Sequence, residues 1–215
     1  MTTRVLTAGS DALLVSLDGP ELVTGLYHDL LSAPPEGFVE AIPAAETVLV
    51  VFDPAYTSAA TLTPRLHAAA ERASQNTHSI AEPSAHQQPV ITIPVVYDGP
   101  DLEEIAQCTG LSVEKVVRRH EAGEYVVAFC GFAPGFGYLT GLDPALILPR
   151  RSTPRTQIPA GSVAISDRFT AVYPHASPGG WHLLGRTTTV MWDLERQPPA
   201  LLAPGTRVRF EQVTT

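Results

Sequence analysis

Apolar and polar positions along this chain follow two regimes. Residues 4–17 alternate loosely around Val5, Leu6, Ala12, Leu13, Leu14, Val15 and Leu17, with Gly9-Ser10-Asp11 between, which predicts two short strands or a hairpin. Over 21–32, Leu22, Val23, Leu26, Leu30 and Leu31 fall at helical spacing, and Pro34-Pro35 ends that helix. Residues 38–42 and 47–52 read as strands, the second apolar enough to be central in a sheet. After the Asp53-Pro54 turn, a helix over 59–74 carries Leu62, Leu66, Ala69 and Ala70 on one face. The order ββαββα predicts a small α+β domain over 1–80, an antiparallel sheet with helices on one face.

Residues 75–88 are polar with almost no bulk, and 81–88 is expected to be a linker; His78 and His86 read as solvated loop histidines. The second regime, 89–215, has short β-branched runs broken by Gly and Pro. Residues 89–97 form a strand whose Pro94 suits an edge or a bulge. Asp101-Leu102-Glu103-Glu104 reads as a capping box opening a helix to Thr109. Gly110 ends it, and Ser112 caps a second helix running to His120. At that helix end the dipole favours the charged form of His120. Strands are expected at 125–130, at 161–166 and 169–173 about an Asp167-Arg168 turn, and at 181–184, 187–192 and 206–213. Many short strands, Gly/Pro turns and two helices suit a closed β-barrel.

Within this half, residues 129–187 interleave eight glycines and seven prolines with Phe132, Phe136, Tyr138, Leu139, Ile147, Tyr173 and Trp181. Such a stretch is no long helix, and its aromatics make it no linker. Rigid turns carrying aromatics and arginines describe a shaped site on a β scaffold.

Charge narrows the chemistry. The net charge of −8 argues against a nucleic-acid surface. Lys115 is the sole lysine beside thirteen arginines, so no Walker A loop and no biotin-carrier Met-Lys pair is present. Residues 1–30 lack a basic start followed by an apolar core and cleavage site, which predicts a cytoplasmic protein. Cys108 and Cys130 are isolated, without CxxC or zinc spacing; Cys130 ends an apolar run and reads as a buried thiol.

No nucleophile elbow surrounds Ser162 or Ser177. Ser177-Pro178-Gly179-Gly180 offers successive backbone N–H groups as a nest for an oxyanion or phosphate, and Ser162 after Ala160-Gly161 offers the same. Arg150, Arg155 and Arg186 suit a carboxylate clamp, and the Tyr138 and Tyr173 hydroxyls suit a carbonyl. Trp181 and His182 are expected on opposite sides of a strand, one packed inward and the other reaching a groove or solvent. His175, in the turn before Ser177, is the better placed acid–base candidate.

Three patterns stand in order: GFxPGFxYLxGL at 131–142, PRxxxPRxxxPAGSV at 149–163 and YPxxSPGGWxxxGRT at 173–187. They resemble the KipI family, also called allophanate hydrolase subunit one or the 5-oxoprolinase B subunit, with weaker similarity over nearly the whole chain. The resemblance departs at 167–171, where the family reads near Gly-x-Gln-Thr-Gly and this chain has Asp167, Arg168, Phe169, Thr170 and Ala171, so no hydrogen-bonding role carries over to Phe169.

The resemblance implies an N-terminal α+β domain and a mainly-β cyclophilin-like barrel over 89–215. It implies the B subunit of an ATP-dependent 5-oxoprolinase that opens 5-oxoproline to glutamate, inactive alone. A homologous C subunit would share the site, a LamB/YcsF-like A subunit would join them, and ATP would be bound at least partly by those partners. No metal or biotin site is expected in this chain. Catalytic roles are expected of Arg150, Arg155, His175 and Arg186. Substrate contacts are expected of Phe132, Pro134, Gly135, Tyr138, Ser162, Tyr173, Ser177, Gly179, Gly180 and Trp181. His120, which matches a family histidine, and His182 are further candidates. The alternatives are a KipI-like inhibitor of a sensor histidine kinase and a carboxyltransferase component of a urea- or allophanate-type biotin system.

Overall fold

The structure is a computed structural model that describes residues 3–76 and 89–214. The expected linker at 81–88, with His86, and His78 lie outside the described residues. The chain divides into two compact units, Met1–Gln87 and Gln88–Thr215.

In the first unit, β1 (Arg4–Thr7), β2 (Ala12–Ser16), β3 (Phe38–Pro43) and β4 (Thr47–Phe52) form an antiparallel sheet in the order β1-β2-β4-β3. The helices are α1 (Pro20–Ser32) and α2 (Ala59–Asn76). Alternation along the strands sends Leu13, Val15, Val48, Val50 and Phe52 to one face. There they pack with Leu22, Val23, Leu26 and Leu30 of α1 and Leu62, Leu66, Ala69 and Ala70 of α2. Pro20 opens α1, where its missing N–H costs nothing.

The second unit comprises β5 (Ile91–Val95), α3 (Leu102–Thr109), α4 (Val113–Glu121), β6 (Tyr125–Cys130), β7 (Gly137–Thr140), β8 (Arg155–Ile158), β9 (Ser162–Ser166), β10 (Phe169–Val172), β11 (Ser177–Gly179), β12 (His182–Arg186) and β13 (Arg207–Gln212). Seven of these strands form one mixed sheet in the order β12-β9-β10-β7-β6-β13-β5, with only the β13–β5 pair parallel. A bridge between Val96 and Arg186 joins its two ends through reciprocal backbone hydrogen bonds of 2.9 Å, and Gly99 N–H donates to the Leu184 carbonyl at 3.1 Å. The sheet is therefore nearly a closed barrel. At this seam a Cβ on Gly185 would come 2.9 Å from the Tyr97 Cα, and one on Gly99 would come 2.7 Å from the Gly185 nitrogen. The glycines let two backbones meet where side chains would part them. β8 and β11 form a separate two-stranded ribbon.

The barrel interior holds Ile93, Val95, Tyr125, Val127, Leu139, Val163, Ile165, Val172, Leu184, Val208 and Phe210, closed by Ile105, Val116 and Val117 from α3 and α4. His120 is fully buried among them. Thr170 Oγ1 spends its proton on the Ala164 carbonyl at 3.0 Å, so His120 Nε2–H donates to Thr170 at 2.9 Å. Nδ1 then accepts from the Tyr97 hydroxyl at 2.8 Å. Burial lowers the His120 pKa to about 3. The helix-end charge expected of His120 is thus overturned, because desolvation outweighs the dipole.

Three other expectations change. Asp101 makes no side-chain cap at α3, since its carboxylate is turned to other partners. The strand expected at 187–192 is absent apart from a bridge of Trp192 to Ala200. Arg196 instead ties that loop by donating to the carbonyls of Val190, Met191 and Pro199. β7, β8 and β11 are strands within a stretch that promised turns. Among the described residues, no helix is long and apolar enough to cross a membrane.

Candidate functional site

Residue alternation builds the site on the face of the sheet opposite the barrel core. Val163, Ile165 and Val172 point inward, so Ala164, Ala171 and Tyr173 point the other way. There they gather Phe136, Ile158, Trp181 and Leu183, with Ala133, Tyr138 and Phe169 packed at the margin. All three sequence patterns thus meet in one aromatic cluster. Phe136 lies edge-on to Tyr173 at 5.2 Å and to Trp181 at 5.6 Å. Tyr138 stacks on Phe129 at 4.3 Å and meets Phe169 edge-on at 5.7 Å. Where an amide side chain was the family expectation, Phe169 is a packing residue behind Tyr138.

The loop before β7 puts Phe132 above this wall. Its φ of 68° is unusual for a residue with a side chain, and the residue is 61% exposed while its ring stands edge-to-face with those of Phe136 and Tyr173. Gly135, at φ 81°, allows the turn; a Cβ there would meet Trp192 Cβ at 2.8 Å. Pro134 is exposed beside it.

The structure separates the arginines. Arg150 is exposed and makes no hydrogen bond or ion pair with a described residue. It lies close enough to Tyr138 and Tyr173 for its charge to oppose the rise in both hydroxyl pKa values. Burial nonetheless raises the Tyr138 pKa and pushes Tyr173 up to about 12, so both hydroxyls remain protonated donors at neutral pH. The backbone of Arg150 is pinned on both sides. His182 Nε2–H donates to the Pro149 carbonyl at 3.0 Å, and Arg151 N–H donates to the Gly180 carbonyl at 2.8 Å.

Arg155 is committed to Asp101, which accepts from its Nη2 at 2.6 Å. The same Asp101 oxygen accepts from Arg151 Nη1 at 2.9 Å, and Arg151 also pairs with Glu104. Arg186 pairs with Asp98 at 2.9 Å on the surface, both side chains about half exposed. The sequence reading missed Arg151 and Asp101. The doubled Arg150-Arg151 was visible, whereas the capping-box pattern disguised Asp101.

His175 is exposed, with no hydrogen bond to a described residue. Trp181 and His182 are both buried, against the expectation that one would reach a groove or solvent: the loop at Pro149 covers the histidine. Ser177 and Gly179 pair with Ile158 and Arg155 across the ribbon, so this segment is a strand and not an open nest. Gly180 adjoins it, giving its carbonyl to Arg151. Ser162 is buried at the start of β9. Cys130 is half-buried, its Sγ directed at the Leu202 carbonyl at 3.6 Å, and burial raises its pKa, which suits an inert thiol. A cleft of about 520 Å³ opens between α3 and α4, lined by Glu103, Gln107, Ser112 and Glu114 and by none of the aromatic cluster. Among the described residues no His, Cys, Asp and Glu side chains gather as a metal site.

An unpaired guanidinium beside the half-buried Tyr138 phenol and the exposed Phe132 ring, backed by a buried cluster of edge-to-face aromatics, suits a small ligand that carries a carboxylate. Residues 3–202 match the family model of the carboxyltransferase domain, subdomain C and D. The chain belongs to this family. The chain is similar to two proteins named as the B subunit of 5-oxoprolinase. The one from Bacillus subtilis is 39% identical, covering 100% of this chain and 95% of the relative. The one from Escherichia coli is 39% identical over 96% of this chain and 94% of the relative. Among solved structures, TTHA0988 superposes with a TM-score of 0.73 at 35% identity, over 100% of this chain and 40% of that protein. The urea amidolyase of Kluyveromyces lactis shares the fold, with a TM-score of 0.72 at 21% identity over 99% of this chain and 15% of the enzyme. The match to the carboxyltransferase C and D family takes in all three motifs and the aromatic cluster they build.

Proposed function

We propose that this chain is the B subunit of a cytoplasmic, ATP-dependent 5-oxoprolinase, which opens the lactam of 5-oxoproline to give glutamate. The observation that carries the reading is Arg150, an unpaired guanidinium beside the Tyr138 and Tyr173 hydroxyls over an aromatic wall. Support comes from near-complete alignment with two proteins named for that activity.

In this reading Arg150 takes the substrate carboxylate and the lactam ring lies against the exposed Phe132 and the half-buried Tyr138, with the buried Tyr173 supporting them from beneath the ribbon. A tyrosine hydroxyl donates to the lactam oxygen, where negative charge grows as water adds to the carbonyl carbon and the C–N bond breaks. Arg155 holds the ribbon in place, its charge already met by Asp101. His175, exposed at the turn before β11, is the candidate to move a proton to the leaving nitrogen.

The donors of this chain fit a carboxylate better than a triphosphate. Lys115, its sole lysine, lies on α4, and Ser177 and Gly179 are engaged with β8. ATP is therefore assigned to the partners, a homologous C subunit that completes the site and an A subunit. The carboxyltransferase alternative has the family description and a fold likeness at 21% identity behind it, against 39% identity to proteins named for 5-oxoprolinase, and no feature of the site favours a kinase inhibitor.

The test is glutamate release from 5-oxoproline and ATP by this chain assembled with its two candidate partners, against a mixture without this chain. Activity that needs all three is expected. An assembled complex that releases no glutamate would sink the assignment.

A further inference from the structure

Asp101 is a buried carboxylate without a part in the reading above. Its side chain is 3% exposed, so it does not touch substrate. Burying a carboxylate is costly unless hydrogen bonds replace its water. Here Oδ1 accepts from Arg151 Nη1 at 2.9 Å and Arg155 Nη2 at 2.6 Å, while Oδ2 accepts from the Leu183 N–H at 2.7 Å. One carboxylate thus ties the start of α3 to the segment 151–155 and to β12.

Those segments carry the two sides of the site. Arg151 is covalently next to Arg150, and its backbone N–H is tied to Gly180, which precedes Trp181. Leu183 lies two residues beyond Trp181 on the same face, and both belong to the aromatic cluster. Arg155 pairs with Gly179 across the ribbon that covers Tyr173. Arg151 Nε and Arg155 Nη1 are buried without protein partners, so their grip on this wall depends on Asp101 and, for Arg151, on Glu104.

We propose that Asp101 is a positioning residue: through Arg151, Arg155 and Leu183 it fixes Arg150 against the aromatic wall and so sets the affinity for the anionic substrate. The proposal rests on the reading of the site given above. It calls for a carboxylate at 101 because two guanidinium groups and a backbone N–H converge there, and an amide would turn one N–H donor toward another.

The experiment is Asp101→Asn in the assembled complex, read in two ways. In steady-state kinetics, KM for 5-oxoproline is expected to rise about tenfold or more with KM for ATP unchanged, because only the anion's seat moves. A merely structural role would lower the amount of active complex and leave both KM values in place, and that result overturns the proposal. The second reading is modification by phenylglyoxal, mapped by mass spectrometry at each arginine. Arg151 and Arg155 are expected to react slowly in the wild type and several-fold faster in Asp101→Asn, with circular dichroism unchanged. Unaltered protection overturns the proposal even where kinetics change. Should the wild-type complex fail to turn over 5-oxoproline, the functional reading falls, and the modification pattern alone decides whether Asp101 holds the two arginines. Asp101→Glu, which keeps the charge, separates misfolding from lost positioning: it should retain the protection and most of the substrate affinity.

Discussion

Gly179 passes so closely over Tyr173 that a Cβ there would collide with the phenol oxygen and stand 2.8 Å from Ile158 Cδ1. The glycine thereby lets the ribbon lie flat on the aromatic cluster. Gly179→Ala is expected to destabilise by about 1–3 kcal/mol through overpacking, measured by urea denaturation. Adding Tyr173→Phe removes the oxygen and should recover part of that loss. Additive effects of the two changes would show that the contact is not the cause.

Arg150 and Arg186 should part company. Arg150→Gln removes an exposed, unpaired side chain, so the melting temperature should hold while kcat/KM for 5-oxoproline falls roughly tenfold to a hundredfold, the value of a charge-assisted hydrogen bond. Arg186→Gln breaks an exposed pair with Asp98 worth less than about 1 kcal/mol and should leave kcat/KM within about twofold. Steady-state assays of both variants, side by side, check the assignment; equal losses would contradict it.

Phe132 sits at a backbone conformation that favours glycine. Phe132→Gly should therefore match or exceed the wild type in thermal stability while KM for 5-oxoproline rises about threefold to tenfold, as an aromatic face is lost. A variant that melts early and still binds substrate normally would make the ring a packing element only.

His120 sets a pH dependence of stability. Its pKa is about 3 when folded against about 6.5 unfolded, so acid favours the unfolded chain. The stabilisation is complete above the unfolded value and is lost as pH falls toward 3. Between pH 7 and pH 5 this one group should cost about 2 kcal/mol. Denaturant titrations at both pH values, compared with His120→Gln, isolate the term; parallel losses in the two proteins would refute it.

Much of this was legible in the sequence, for identifiable reasons. In the first unit, the helical spacing of Leu22, Val23, Leu26 and Leu30 and the unbroken apolar run of β4 yield the observed helix and central strand, since each pattern extends over several residues. The turn at Asp167-Arg168 was equally plain, because Ser166 and Phe169 pair directly across it. β8 and β11 were not: β8 is four residues set between Pro154 and Pro159, β11 is three residues containing Pro178 and Gly179, and neither is long enough to carry a periodicity. At the site, the motifs named the aromatic wall, whereas the use of each arginine depended on where the carboxylates fold. Asp101 and Asp98 lie far along the chain from Arg155 and Arg186, and spacing alone does not pair them. His120 was misread because a helix end predicts charge only when it is wet.

The join between Val96 and Arg186 has a meaning for the chain's behaviour in company. It is a clasp of two bridge bonds, with the Gly99–Leu184 bond beside it, and it brings the borders of the two end strands, β5 and β12, together at one point. Undone, it would bare two strand borders whose inward residues include Ile93, Val95 and Leu184, each fully buried in the closed ring. Such borders pair readily with any other strand, including those of a second copy. The same backbone contact that brings the barrel's ends together therefore also limits the strand border that the sheet offers to a neighbour.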